Sequence, residues 1–148
     1  MLEGTAYGQG QWASSIRYHD GKFYVWFTAN GAPGRGFVYT ATDPAGPWKL
    51  LSRPPHFHDG SLLFDDDGRV YLFHSTGQLT ELKTDLTDVL PGGINQQIFE
   101  RDADEQGLLE CSSAIKYNGN YYLLMISMDW SIPCLLYTSD AADDLLCV

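Results

Sequence analysis

The sequence predicts an all-β fold, and within that class a partial β-propeller with about three blades present. Three segments share one pattern of strand, tight turn and strand, at residues 15–26, 61–72 and 113–123. Their turn glycines, Gly21, Gly68 and Gly119, recur at a spacing of roughly 50 residues, within the range of propeller-blade repeats. No helical periodicity exceeds two turns before residue 134, so we expect strands to form the regular structure.

Each hairpin has an Asx-Gly pair at its tip, in the sequences His-Asp-Gly, Asp-Asp-Gly and Tyr-Asn-Gly. Such pairs predict two-residue turns, because both turn positions need positive φ. A blade needs four strands, and residues 36–42 and 48–51 complete the first blade. Residues 79–82 continue the second blade after a turn at Thr76 and Gly77. An immunoglobulin-like sandwich also has many short strands, but it does not predict a repeat of this length.

The composition argues against several classes of partner. A formal charge of -10 on 148 residues, with few and unclustered Lys and Arg, argues against binding to nucleic acid or to an anionic membrane surface. Neutral carbohydrates remain open as ligands. No apolar stretch approaches the roughly 20 residues needed to cross a bilayer. The three cysteines have neither disulfide-framework nor metal-ligand spacing, so they indicate no metal cluster. The sequence names no metal ligand and no cofactor, and it does not decide whether a structural calcium ion is bound.

Residues 134–148 break the repeat pattern. The ten residues at the start of this segment resemble the translation of a transposase-type sequencing adapter. We therefore divide the chain into a partial propeller domain at residues 1–133 and a non-native tail at residues 134–148. Cys134 and Cys147 are left out of any chemical interpretation, and we expect the natural chain to continue beyond the domain.

Two acidic residues have equivalent places in their repeats. Asp59 lies two residues before Ser61, and Glu110 lies three residues before Ser113, each expected ahead of the first strand of its blade. The innermost strand of each blade lines the central channel of a propeller, so we expect the two carboxylates to converge on one pocket. Paired carboxylates in an aromatic pocket are the groups that glycoside hydrolysis uses. The structural alternative is that Asp59 belongs only to a turn.

Three groups of motifs together resemble glycoside hydrolase family 43, the five-bladed propeller enzymes that act on arabinose- and xylose-containing glycans. The motifs are Trp12-Ala13-Ser14-Ser15-Ile16 with residues 21–26, His58-Asp59-Gly60-Ser61 with residues 62–72, and Leu109-Glu110-Cys111-Ser112-Ser113 with residues 117–123. The resemblance extends from about residue 8 to residue 132. Within the family, the motifs most resemble those of β-xylosidases and α-L-arabinofuranosidases.

The resemblance implies catalytic roles. Glu110 is expected to be the general acid, and Asp59 the aspartate that orients the acid and tunes its pKa. The family inverts the sugar configuration, so a third carboxylate, an aspartate in the first blade, acts as the base on a water molecule. Only Glu3 is acidic before Trp12, and its surroundings do not match the base motif. We therefore expect this polypeptide to lack the first blade and to be inactive by itself.

Three side chains beside the predicted pocket are expected to bind substrate, namely Trp12, Phe57 and His58. Trp12 either stacks on a sugar ring or fills the core of the blade, and His58 either contacts sugar hydroxyls or satisfies loop backbone. The acidic residues 65–67 are expected to form a solvated turn, and residues 101–106 an exposed connection.

Two alternative functions remain at this point. The five-bladed sucrose and fructan hydrolases also have a Glu-Cys pair like Glu110-Cys111, but they have Arg-Asp-Pro where this chain has His58-Asp59-Gly60. A non-catalytic propeller that binds glycan or protein is the second alternative. It predicts that Asp59 and Glu110 do not converge.

Overall fold

A computed structural model describes residues 10–29, 34–103, 108–128 and 136–137. Within these residues every regular element is a β-strand, and the strands form three antiparallel sheets. The all-β prediction is therefore confirmed. In the same residues, no helix is long and apolar enough to span a membrane.

The first sheet is the blade that the first repeat predicts. It has the order β1-β2-β3-β4, with β1 at Ser15–His19, β2 at Lys22–Thr28, β3 at Gly36–Ala41 and β4 at Lys49–Ser52. The β1–β2 turn has positive φ at both tip residues, 46° at Asp20 and 77° at Gly21. The two-residue turn predicted here from the Asp-Gly pair is thus correct.

The second sheet has the order β5-β6-β7-β8. Its strands are β5 at Ser61–Phe64, β6 at Val70–His74, β7 at Gln78–Leu82 and β8 at Asn95–Gln97. The two-residue turn predicted for the β5–β6 hairpin is wrong. Gly68 N donates to Asp65 O at 3.1 Å, and of the Asp67-Gly68 pair only Gly68 has positive φ. The turn is therefore longer than two residues and begins at Asp65, whose side chain contacts the next blade.

The third sheet has the order β11-β10-β9. It contains β9 at Leu108–Tyr117, β10 at Asn120–Met128 and β11 at Leu136–Tyr137. Its hairpin tip again has two positive φ values, 50° at Asn118 and 75° at Gly119. Of the predicted adapter-derived tail, only residues 136–137 are described, and they pair with β10. The rest of that tail lies outside the described residues, so its origin stays a prediction.

The three sheets stack face to face, with β5 lying between β1 and β9. One apolar cluster joins the first and second sheets, and a second cluster joins the second and third sheets. Successive β5 residues alternate between them, because Leu62 belongs to the first cluster and Leu63 to the second. Every residue of β6 is buried, as expected for a strand covered on both faces. Among the described residues, two four-stranded sheets and one three-stranded sheet follow one another around adjacent inner strands. This arrangement is part of a β-propeller and not an immunoglobulin-like sandwich.

The serines that begin the repeats join neighbouring blades. Leu62 N donates to Ser15 Oγ at 3.2 Å, and Ala114 N donates to Ser61 Oγ at 3.1 Å. The same hydrogen bond is therefore made twice, at equivalent positions of successive repeats. Its repetition fixes how far each inner strand is displaced along its neighbour.

The acidic turn differs from its prediction at one residue. Asp65 is only 6% exposed, because Lys116 Nζ and Tyr121 OH of the third blade both donate to its carboxylate. The Lys116 hydrogen bond and then the Tyr121 hydrogen bond lower the pKa of Asp65 to about 2. The solvated-turn prediction is wrong for Asp65 and correct for Asp66 and Asp67, which are exposed. In the predicted connection at residues 101–106, residues 101–103 are exposed and the remainder lies outside the described residues.

Candidate active site

The two carboxylates that the sequence singles out come from different blades. Asp59 immediately precedes Gly60 and β5, has a φ of 48° and is 2% exposed. Glu110 is the third residue of β9, since that strand begins at Leu108. The expectation that Glu110 lies ahead of its strand is therefore wrong. The strand position gives Glu110 a backbone held by the β9–β10 ladder, where it pairs with Ile126.

His58 joins the two carboxylates. Its Nε2 lies 3.0 Å from Oε2 of Glu110, in a hydrogen bond, and 3.4 Å from Oδ2 of Asp59. One ligating atom from each of the three side chains lies within 4.8 Å of the others. The structure thus brings Asp59 and Glu110 together, as the convergence argument expects. Sequence spacing did not indicate that a histidine lies between them.

The side chains of this cluster differ in exposure. The Asp59 side chain is 2% exposed, whereas those of His58 and Glu110 are 33% and 21% exposed. Asp59 thus forms the floor of the cluster, and the other two groups remain accessible from solvent. A ligand entering from solvent would reach Glu110 and His58 before Asp59.

Gly60 allows the backbone that follows Asp59 to pack closely against the first and second blades. A Cβ at this position would lie 2.3 Å from Nε1 of Trp26, the fully buried indole of the first blade, and 3.0 Å from Leu72. The backbone after Asp59 therefore packs directly on Trp26. The amide of Ser75 also donates to the carbonyl of His58 at 2.8 Å. These contacts hold the segment that carries His58 and Asp59 against two blades.

The aromatic residues predicted to bind substrate divide into two environments. Trp12 is 41% exposed and meets the His58 ring edge-on, with ring centroids 4.9 Å apart. Phe57 packs against the first apolar cluster, with its ring 4.4 Å from that of His74. Trp12 is therefore available at the open side of the site, and Phe57 contributes to its support. The assignment of Trp12, Phe57 and His58 to substrate binding stays a prediction.

Sequence reasoning missed several residues that support the site. Thr76 Oγ1 donates to the carbonyl of Leu109, the neighbour of Glu110, at 2.7 Å. Nη2 of Arg17 donates to Ser61 Oγ at 2.7 Å and to Ala114 O at 2.9 Å. One guanidinium in β1 therefore contacts β9, which carries Glu110, and β5, which follows Asp59. Thr76 lies in a predicted turn and Arg17 in a predicted strand, and neither context distinguishes a supporting residue from an ordinary surface residue.

Sequence reasoning also missed His74, whose ring packs against Phe57, the neighbour of His58. It is 8% exposed, and its Nε2 lies 2.9 Å from Thr80 Oγ1. Burial lowers the pKa of His74 to about 4, so its imidazole is neutral at neutral pH. An uncharged ring can pack against Phe57 without placing a cation beneath the carboxylates.

A propeller whose adjacent inner strands bring two carboxylates into a partly open, aromatic-edged site defines the architectural class of propeller glycosidases. The chain belongs to glycosyl hydrolases family 43, because the model of that family matches residues 2–131. This match agrees with the three motif groups and not with the sucrose and fructan hydrolase alternative.

Individual relatives agree with this assignment. The chain is 44% identical over 134 residues to a xylosidase/arabinosidase of Butyrivibrio fibrisolvens, covering 78% of this chain and 25% of the relative. It is 31% identical over 139 residues to an extracellular endo-alpha-(1->5)-L-arabinanase of Bacillus subtilis, covering 83% of this chain and 42% of the relative. A solved bifunctional GH43-CE structure from Bacteroides eggerthii superposes with a TM-score of 0.71 at 38% identity, covering 81% of this chain and 16% of that one. The chain thus spans less than half the length of each of these proteins.

Proposed function

We propose that this chain is part of a glycoside hydrolase that cleaves xylose- or arabinose-containing glycans with inversion. The observation that carries the proposal is the convergence of Glu110 and Asp59 on Nε2 of His58, at 3.0 Å and 3.4 Å. The names of the two curated relatives support this substrate class, since one is a xylosidase/arabinosidase and the other an arabinanase. A non-catalytic binding module has less support, because it gives no reason for two carboxylates to meet.

In the proposed reaction, Glu110 donates its proton to the glycosidic oxygen as the bond to the anomeric carbon breaks. Its partial exposure fits this role, because the leaving oxygen must come within hydrogen-bond distance of the carboxyl group. Asp59, buried beside it, orients the acid, and a carboxylate at this position favours the oxocarbenium-like transition state. Trp12 offers an exposed ring on which a sugar can stack.

Inversion requires a base on the opposite face of the sugar, with the two carboxyl groups roughly 6.5–9.5 Å apart. The atoms of Asp59 and Glu110 lie within 4.8 Å, too close for a water molecule and a sugar carbon between them. Asp59 is therefore not proposed as the base. We assign that role to none of the described residues, and we propose that residues 1–133 act together with further chain.

The test uses the parent protein that contains these blades, assayed on xylobiose and on an arabinose-substituted xylo-oligosaccharide. Replacing the acid in a Glu110→Gln variant should lower kcat by roughly 10²- to 10⁴-fold on these poor leaving groups. Hydrolysis of an activated aryl pentoside should fall much less, because its leaving group needs little protonation.

Glu100→Gln is the matched control, since Glu100 is an exposed glutamate outside the cluster. It should leave both rates unchanged. Equal rates for Glu110→Gln and the wild-type protein on xylobiose would refute the assignment of the acid.

A further inference from the structure

The donor set of the carboxylate site has the composition of a zinc site. His58 offers an imidazole nitrogen, and Asp59 and Glu110 each offer a carboxylate oxygen, all three atoms lying within 4.8 Å of one another. One nitrogen and two oxygens suit a borderline ion such as Zn²⁺, whereas Ca²⁺ and Mg²⁺ prefer six or more oxygen ligands. The sequence did not predict this set, because its members come from two blades and have no local spacing.

The distances agree with this donor set. Bonds of about 2.0–2.2 Å from zinc to nitrogen or oxygen place the ligands of a tetrahedral ion roughly 3.3–3.5 Å apart. The His58 nitrogen already lies 3.0 Å from the Glu110 oxygen and 3.4 Å from the Asp59 oxygen. Only the separation between the two carboxylates must become shorter. Glu110, the more exposed carboxylate, can close it by rotation about its side-chain bonds.

Charge and access favour the same ion. As metal ligands, two carboxylates and one imidazole would together balance the charge of one Zn²⁺, and Asp59 is the buried member of the carboxylate pair. His58 and Glu110 remain partly exposed, so an ion can enter from solvent. Three protein ligands leave a fourth position for water.

We propose that His58, Asp59 and Glu110 bind one Zn²⁺ per chain. The consequence for activity rests on the proposed function: zinc bound to Glu110 occupies the oxygen that must hold the proton, so zinc is an inhibitor of hydrolysis.

The binding test uses the 148-residue chain, titrated with zinc chloride by isothermal calorimetry. The wild-type chain should bind one zinc ion, and the His58→Gln and Glu110→Gln variants should each bind at least about tenfold more weakly. His19→Asn is the matched control, because His19 also lies beside an aspartate, with Nε2 3.5 Å from Oδ2 of Asp20, but belongs to no three-ligand group among the described residues. It should bind zinc as the wild type does. Near-UV circular dichroism identifies any variant that does not fold, and Asp59→Asn then serves as the replacement.

Two further measurements distinguish the proposed site from a cysteine-containing zinc site and from a calcium site. The Co²⁺ derivative should lack thiolate-to-metal charge-transfer bands, and an excess of Ca²⁺ should not compete with zinc. Wild-type affinity in both His58→Gln and Glu110→Gln, a thiolate spectrum, or equal competition by Ca²⁺ would each overturn the proposal.

Measuring hydrolysis in the presence of zinc tests the zinc site and the role of Glu110 as the acid separately. In the parent protein, zinc should inhibit xylobiose hydrolysis in parallel with its binding. Saturation with zinc without loss of hydrolysis would support the metal site and overturn Glu110 as the acid. Inhibition that persists unchanged in His58→Gln would overturn the metal site.

Discussion

The two ends of strand β5 each carry a buried aspartate, but the two carboxylates have different neighbours. Asp65, after the strand, accepts hydrogen bonds from Lys116 and Tyr121 of the next blade. Asp59, before the strand, lies beside His58 and shares that neighbour with a second carboxylate, Glu110. The first carboxylate is neutralised by a cation, whereas the second lies beside another acid.

Burial does not distinguish the two aspartates, since they are 6% and 2% exposed, whereas the side chains around them differ. A buried charge with a cation and a hydroxyl donor holds two blades together. A buried acid beside another acid is a candidate functional group, in line with the role proposed for Asp59.

The largest effect is expected at Gly60, the glycine just before β5. Gly60→Ala should lower the free energy of unfolding by about 3 kcal/mol, because its Cβ would lie 2.3 Å from the buried Trp26 indole. Gly68→Ala is the control at the other end, where φ is +82° but no atom of the described part of the chain lies within 4 Å of the added Cβ. It should cost about 1 kcal/mol, from the left-handed backbone alone. Urea denaturation of both variants measures the difference, and equal losses would contradict the close packing of Gly60.

The aspartates themselves should respond differently to the same substitution. Asp65→Asn should lower the free energy of unfolding by about 2 kcal/mol, because it weakens the hydrogen bonds from Lys116 and Tyr121. Asp59→Asn should leave stability within about 0.5 kcal/mol of the wild type or raise it, since it removes one of two neighbouring acids. Paired urea denaturation curves at neutral pH measure both. A larger loss for Asp59→Asn than for Asp65→Asn would contradict the distinction between the two ends.

The smallest effect is the pH dependence that Asp65 adds. Its folded-state pKa, about 2, lies below the ordinary value of 3.8, so the unfolded chain binds its proton more readily. The stabilisation is fully present above about pH 4 and is lost as pH falls toward 2. Asp65→Asn should therefore lose less stability than the wild type over this window. Asp20→Asn, which alters an aspartate side chain that is 88% exposed, should follow the wild-type curve.

The repeat made most of the fold predictable. Local residue types determine where hairpins form, so the strands of the first blade were placed within one or two residues of their observed bounds. β8 was missed because Asn95, Gln96 and Gln97 are polar and exposed, with no alternating apolar pattern. The convergence of Asp59 and Glu110 was predictable because equivalent positions of successive blades meet at the channel.

The sequence by itself determined the family, the three hairpins and the two carboxylates that the resemblance marks as acid and partner. Only the tertiary structure decided what each carboxylate meets: His58 between Asp59 and Glu110, and Lys116 and Tyr121 on Asp65. The physical reason is that hairpins follow from conformational preferences of neighbouring residues, whereas contacts between blades join residues about 50 positions apart. Which residues meet in these contacts depends on how the sheets stack, and a local sequence pattern does not indicate the stacking.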